Sequence, residues 1–146
     1  MASHGTVNTI QILRVNPQAT LPTRTHADDA GLDLYNLEDF HLEPGEGRAI
    51  KTGIALAIPR GYVGLVADRS SLGKRGLKTA GGVIDAGYRG EIHIVLWNIS
   101  AQIFELKKGE RLAQLLLIPI ATPAVEEVTS LDETARGAKG FGSSGK

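Results

Sequence analysis

The sequence predicts an all-β fold: a β-sandwich, jelly roll or small barrel carrying one short helix. Three observations lead there. About ten short apolar runs follow one another, each bounded by Gly, Pro, Asn or Asp. Eighteen glycines and six prolines supply the turns between them. No stretch sustains the 3.6-residue period of a long amphipathic helix, and no internal repeat is present.

In order, Thr9–Val15 partly alternates and reads as a strand ended by Asn16-Pro17. Residues 18–30 are polar and loop-like. Gly31–Tyr35 is a short strand in which Leu32 and Leu34 share one face, leaving Asp33 on the other, the solvent side. After the Pro44-Gly45 turn, 48–52 and 54–58 read as two strands, and 62–67 as another. Glu91–Asn98 is the longest strand and nearly continuous in apolar residues, so it is expected to be central. Arg111–Ile118 is a second buried strand. Gln114 lies inside it and needs a hydrogen-bond partner, as a structural bridge or as part of a site. Ala124–Val128 reads as a last strand.

With 146 residues, the chain has the length of one domain with a real core. Sixteen basic residues balance sixteen acidic ones, so neither a nucleic-acid nor a membrane-surface partner is expected. The absence of cysteine excludes disulfides, thiolate nucleophiles and cysteine zinc sites. No apolar run is long enough for a transmembrane helix. Met1–Thr6 lacks the charged and apolar regions of a signal peptide, which makes the cytosol the expected location.

Three segments carry chemistry. Asp68–Gly76 breaks the β pattern and suits one or two helical turns, with Asp68 or a serine near the N-cap and Gly76 at the C-terminal end. The hydroxyls of Ser70 and Ser71 beside Arg69 would then form a seat for phosphate; a capped surface turn is the other reading. Gly81–Glu91 reads as a hairpin arm with Asp85 and Tyr88 near its tip. Four glycines let its backbone approach a flat ligand, although Asp85 could equally begin an ordinary turn. The tail from Arg136 to Lys146 is rich in Gly, Lys and Ser and contains one aromatic, Phe141. It cannot bury a core and is expected to be flexible alone. Gly140–Lys146 fits G-x-x-x-x-G-K, but a P-loop needs a preceding parallel strand, a Ser/Thr after the lysine and a helix beyond, and the sequence stops at Lys146, so the P-loop reading fails.

Five elements stand in order: Ala30-Gly31-Leu32-Asp33-Leu34, Arg69-Ser70-Ser71-Leu72, Gly82–Gly90, Gly109–Leu115, and Arg136-Gly137 with Gly140–Gly145. In identity, order and spacing they resemble the homotrimeric all-β dUTPase family, from about residue 27 to the C-terminus. The resemblance implies a jelly-roll-like, distorted β-barrel over residues 1–131 in a threefold homotrimer. It also implies a flexible arm, 132–146, closing over a neighbouring chain's active site. The implied reaction is Mg2+-dependent hydrolysis of dUTP to dUMP and pyrophosphate, which supplies dUMP for dTMP synthesis and limits uracil in DNA.

The implied roles fall on individual residues. Asp85 would take the proton from a water attacking the α-phosphorus and bond the deoxyribose 3′-hydroxyl; a free aspartate is already ionised at neutral pH and needs no tuning. Tyr88 would stack under the sugar and reject UTP. The backbone of Gly82, Val83 and Ile84 would read the uracil edge, since a site built for one hydrogen-bond pattern discriminates against another. Arg69, Ser70, Ser71 and Gln114 would hold phosphates. Asp33 would orient waters on Mg2+, an ion that dehydrates reluctantly. Arg136, Gly142, Ser143 and Ser144 would grip the γ-phosphate, with Phe141 over the base. His93 is expected to make a backbone contact with nucleotide. Two positions depart from the family pattern. Thr79 stands where many bacterial members have an Asn that reaches the pyrimidine or its waters, and its hydroxyl can still hydrogen-bond there as a substrate-binding group; Asp68 stands where Pro or Gly is usual. A carboxylate beside a phosphate seat is expected to pair with Arg69, Lys74 or Arg75.

Two rivals differ in chemistry. dCTP deaminases resemble this fold and share an Arg-Ser-Ser element, but need a glutamate inside the long strand, where Ile92–Trp97 offers only His93. A binding module with a degenerate site would lack Asp85, Tyr88, Gln114 or the tail, and all are present.

Overall fold

Strict alternation along Glu91–Asn98 sends Ile92, Ile94, Leu96 and Asn98 inward, and this strand organises the fold. A computed structural model describes residues 7–140 and 142. Its ten strands are β1 (Gln11–Arg14), β2 (Leu32–Tyr35), β3 (Phe40–Leu42), β4 (Gly47–Ala57), β5 (Tyr62–Asp68), β6 (Leu77–Ala80), β7 (Val83–Ile84), β8 (Glu91–Asn98), β9 (Phe104–Leu106) and β10 (Arg111–Pro119). The one helix, α1, spans Ser70–Gly73.

Two four-stranded antiparallel sheets, ordered β1-β4-β8-β6 and β2-β10-β5-β7, enclose a single apolar core that includes Leu34, Ile54, Ile94, Leu96, Leu112 and Leu115. A small β3-β9 sheet completes the jelly-roll-like, distorted barrel. Asn98 is fully buried and fully satisfied. Its amide donates to Leu42 O and Gln102 O, and its Oδ1 accepts from Ser100 N and Oγ.

The two strands read at 48–52 and 54–58 are one strand, β4, interrupted by a bulge. Its register against β8 shifts between Lys51 and Ala55, and Gly53 takes φ +72°. Side chains replace the missing ladder bonds: buried Thr52 donates to Ile92 O at 2.6 Å, and Glu91 Oε1 accepts from Gly53 N at 2.9 Å.

The strand expected at 124–128 does not form. No strand among the described residues pairs with this segment, and Val125 is 99% exposed. The last hydrogen bond tying the chain end to the barrel runs from Ile120 N to Gly61 O. α1 is a single turn, within the one or two turns expected, but its N-cap is Arg69 rather than Asp68 or a serine, with no side-chain cap. Gly76, with φ +96°, lies three residues beyond the helix end, where it turns the chain into β6.

Candidate active site

The hairpin is built by glycine. Gly81 and Gly82 take φ +65° and +87°, and a Cβ on Gly82 would lie 2.9 Å from Val66 O. The chain therefore folds tightly back onto β5, where Val66 N donates to Gly82 O at 2.8 Å. Antiparallel pairs alternate between bonded and non-bonded. With Gly82 bonded to Val66, the N–H and C=O of Val83 turn to the open side, because β7 is an edge strand.

That open side faces the start of β8 across a cavity of about 220 Å³ lined by Gly82–Asp85, Tyr88 and Glu91–His93. Asp85 is exposed. Its carbonyl closes the turn by accepting from Tyr88 N, and no described residue bonds its carboxylate. The Tyr88 ring lies over Gly90, where a Cβ would meet its hydroxyl at 2.4 Å, and that hydroxyl donates to Glu91 O. His93 lines the cavity, and its Nε2 sits 3.3 Å from Glu91 Oε2.

A second cluster gathers at one end of the β2-β10-β5 sheet. Register places Gln114 opposite Asp33 on β2 and Ala113 opposite Asp68 on β5. Asp33 does not face open solvent as its flanking leucines suggest. Its side chain is 15% exposed, with Oδ1 3.3 Å from Arg69 Nε and Oδ2 3.3 Å from Arg111 Nη1. Arg69 also donates to Arg111 O, so the guanidinium is held from two sides. Gln114 lies against Gly31, where a Cβ would be 2.2 Å from its Oε1, and its Nε2 donates to Asp68 O at 2.8 Å. Ser70 and Ser71 are exposed at the head of α1.

Asp68 pairs with neither Arg69, Lys74 nor Arg75. Its Oδ1 accepts from Thr79 N and Thr79 Oγ1, both at 2.7 Å, and its Oδ2 pairs with Lys78. β6 runs back beside the end of β5 and brings these donors closer than the cations of the intervening loop. Partial burial opposes ionisation of Asp68, but the bonds from Lys78 and Thr79 outweigh it and hold its pKa below the ordinary value. Arg111, which secures Asp33, was not singled out by the sequence reading; its place beside Gly109-Glu110 in the fourth motif was the available signal.

The hairpin and the Asp33 cluster are distinct within one chain. None of Asp33, Arg69, Ser70, Ser71, Thr79 or Gln114 lines the cavity. Among the described residues Arg136 bonds to Lys139, its Nε donating to Lys139 O, and Gly142 is exposed with φ +88°. Phe141, Ser143 and Ser144 lie outside the described residues.

The dUTPase family profile matches residues 17–145. The chain belongs to the dUTPase family. It is 45% identical over 138 residues to the mouse deoxyuridine 5′-triphosphate nucleotidohydrolase, covering 94% of this chain and 85% of that one. Among solved structures, the Staphylococcus bacteriophage 80alpha dUTPase with dUPNHPP matches with a TM-score of 0.89 and 36% identity. The match covers 96% of this chain and 100% of that one. A dUTPase variant from S. aureus phage phi11, described with a structural Mg(II) ion, matches at a TM-score of 0.81 and 32% identity. It covers 86% of this chain and all of the other.

Proposed function

We propose that this dUTPase-family protein is a dUTP diphosphatase, and that the hairpin supplies both base recognition and the catalytic base. The observation that carries the reading is the cavity that joins Val83's free backbone edge to Asp85 and Tyr88. One N–H and one C=O on that edge match the alternating donors and acceptors of uracil, and a rigid pattern of this kind rejects cytosine. The tight hairpin wall leaves no space for the thymine methyl. Tyr88, fixed over Gly90, sits under the sugar and excludes a 2′-hydroxyl.

The unbonded Asp85 carboxylate accepts a proton from water. The water oxygen bonds to the α-phosphorus, the bond from that phosphorus to the α–β bridging oxygen breaks, and pyrophosphate leaves with dUMP as the other product. Arg69, Ser70, Ser71 and Gln114 hold the phosphates. Arg136, Gly142, Ser143 and Ser144 reach the γ-phosphate from the arm, with Phe141 over the base. The arm is taken as 132–146 and the barrel as 1–131.

The donor set fits magnesium held through water. No group of three or more His, Asp or Glu among the described residues could cage a metal. Asp33 carries one guanidinium on each oxygen and keeps lone pairs for water. When bound, Mg2+ neutralises phosphate charge and orients the triphosphate.

A homotrimer with shared sites completes the machinery, because one chain separates its base-reading cavity from its phosphate residues. Val125, Val128 and Leu131, exposed along a segment that the barrel does not cover, support burial against a neighbouring copy. No helix among the described residues is long and apolar enough to cross a membrane, which is compatible with action in the cytosol.

The test is pyrophosphate release from dUTP, dTTP, dCTP and UTP with Mg2+, for the full chain and for a chain ending at Ala135. Release from dUTP alone, and most of kcat lost in the shortened chain, is expected. Ammonia from dCTP, or no pyrophosphate from dUTP, would overturn the reading.

A further inference from the structure

The chain crosses from one sheet to the other between β5 and β6, and the residues expected to hold phosphate sit on that crossover. β5 belongs to the β2-β10-β5-β7 sheet, and β6 to the β1-β4-β8-β6 sheet. The link is α1 and the turn after it. A four-residue helix with no side-chain N-cap has no stability of its own. Ser70 and Ser71 are exposed, so their position depends on how the ends of the crossover are secured.

One carboxylate joins the two ends to each other, beside the separate anchors of Arg69 on Asp33, buried Leu72, and Ile99 N on Gly76 O. Asp68, the residue before Arg69, accepts at Oδ1 from both the backbone N–H and the hydroxyl of Thr79, each at 2.7 Å, and pairs at Oδ2 with Lys78. Its carbonyl accepts from Gln114 Nε2 at 2.8 Å. Asp68 thus closes the loop at its base, ties it to β6 of the opposite sheet, and anchors the glutamine of the fourth motif. Closing a short loop at its base removes most of the conformations open to it. The two departures from the family pattern, Asp68 and Thr79, are therefore one bonded pair.

We propose that Asp68 is a positioning residue for the triphosphate. Its bonds to Thr79 pin the crossover so that Arg69, Ser70 and Ser71 stand ready for phosphate oxygens. The proposal rests on the dUTPase reading of those three residues.

The experiment compares binding of dUPNHPP and of deoxyuridine, which has no phosphate, by calorimetry and competition. The proteins are wild type, Asp68→Ala, Asp68→Asn and Thr79→Val. Asp68→Ala is expected to weaken dUPNHPP about tenfold and to change deoxyuridine by less than about twofold, with KM for dUTP rising more than kcat falls. Asp68→Asn retains an oxygen acceptor for both Thr79 bonds and is expected to recover most of the affinity. Thr79→Val removes one bond and is expected to fall between them.

Equal loss of both ligands in Asp68→Ala would mark a merely structural residue and overturn the proposal, as would unchanged dUPNHPP binding. If Asp68→Ala does not fold, Asp68→Asn and Thr79→Val decide; dUPNHPP affinity no weaker in Thr79→Val than in wild type overturns it. Wild-type protein that binds deoxyuridine but not dUPNHPP would overturn the phosphate reading together with this one. Wild-type release of pyrophosphate from dUTP with unaltered Asp68→Ala would overturn this proposal alone.

Discussion

The hairpin at 81–91 and the cluster around Asp33 prepare their sites by opposite means. In the hairpin, two left-handed glycines and a bonded turn shape the backbone, and the Asp85 carboxylate, the proposed base, has no partner among the described residues. In the Asp33 cluster the carboxylates and the amide are engaged, Asp33 with Arg69 and Arg111, Gln114 with Asp68, and Asp68 with Thr79 and Lys78, while Ser70 and Ser71 stand exposed. A base of fixed shape is read by rigid backbone. A flexible, highly charged triphosphate needs side chains fixed in advance, since every rotamer frozen on binding lowers affinity. A proton acceptor is most useful when no other donor occupies it.

The largest effect expected from breaking this comparison is at Asp85. Asp85→Asn keeps the shape of the turn but removes the base, so kcat should fall by about 10²–10⁴ while dUPNHPP binding holds near wild type. Steady-state pyrophosphate release and calorimetry measure the two halves. Next is Gly82→Ala, which forces a side chain into φ +87° and toward Val66 O. A cost of about 1–3 kcal/mol is expected, seen in denaturant unfolding together with a weaker preference for dUTP over dCTP. A comparable but purely structural loss is expected from Thr52→Val. The substitution removes the hydroxyl that bonds buried Ile92 O at the bulge, costing about 1–3 kcal/mol with substrate preference intact.

The smallest effect is electrostatic. The pKa of Asp68 is lower in the fold than its unfolded value of 3.8, so its stabilisation is complete above that pH and is lost as pH falls through the folded pKa. Asp68 is partly exposed and solvent screens it, so the contribution is small. Asp68→Asn should flatten the acid limb of stability against pH below about pH 4, measured by denaturant midpoints.

The two regions also differed in how far the sequence revealed them. The bounds of β8 were legible from its apolar run, but its rank was not: at eight residues it is shorter than β4 with eleven and β10 with nine, because the bulge at Gly53 hides the continuity of β4. The hairpin was legible because glycine pairs act locally. β3 and β9 were not, since three residues are too few to show alternation. The 48–58 region looked like two strands because Gly53 breaks the pattern, while side-chain bonds that carry the strand through the bulge are tertiary. At the phosphate end the residues were legible and their partners were not. Asp33 looked solvent-facing until Arg69 from the head of α1 and Arg111 from β10 covered it, and Asp68 found its donors ten and eleven residues away, across a change of sheet. The segment 124–128 has the pattern of a strand, and no strand among the described residues lies beside it.

The central claim is that the hairpin and the phosphate cluster serve one active site from different chains. Mixing Asp85→Asn protein with Gln114→Ala protein, after unfolding and joint refolding, tests it most directly. Each parent alone is expected to release little pyrophosphate from dUTP. The account predicts that the mixture exceeds the sum of its parents, because some sites then combine an intact hairpin from one chain with an intact Gln114 from another. A mixture no more active than that sum would contradict it.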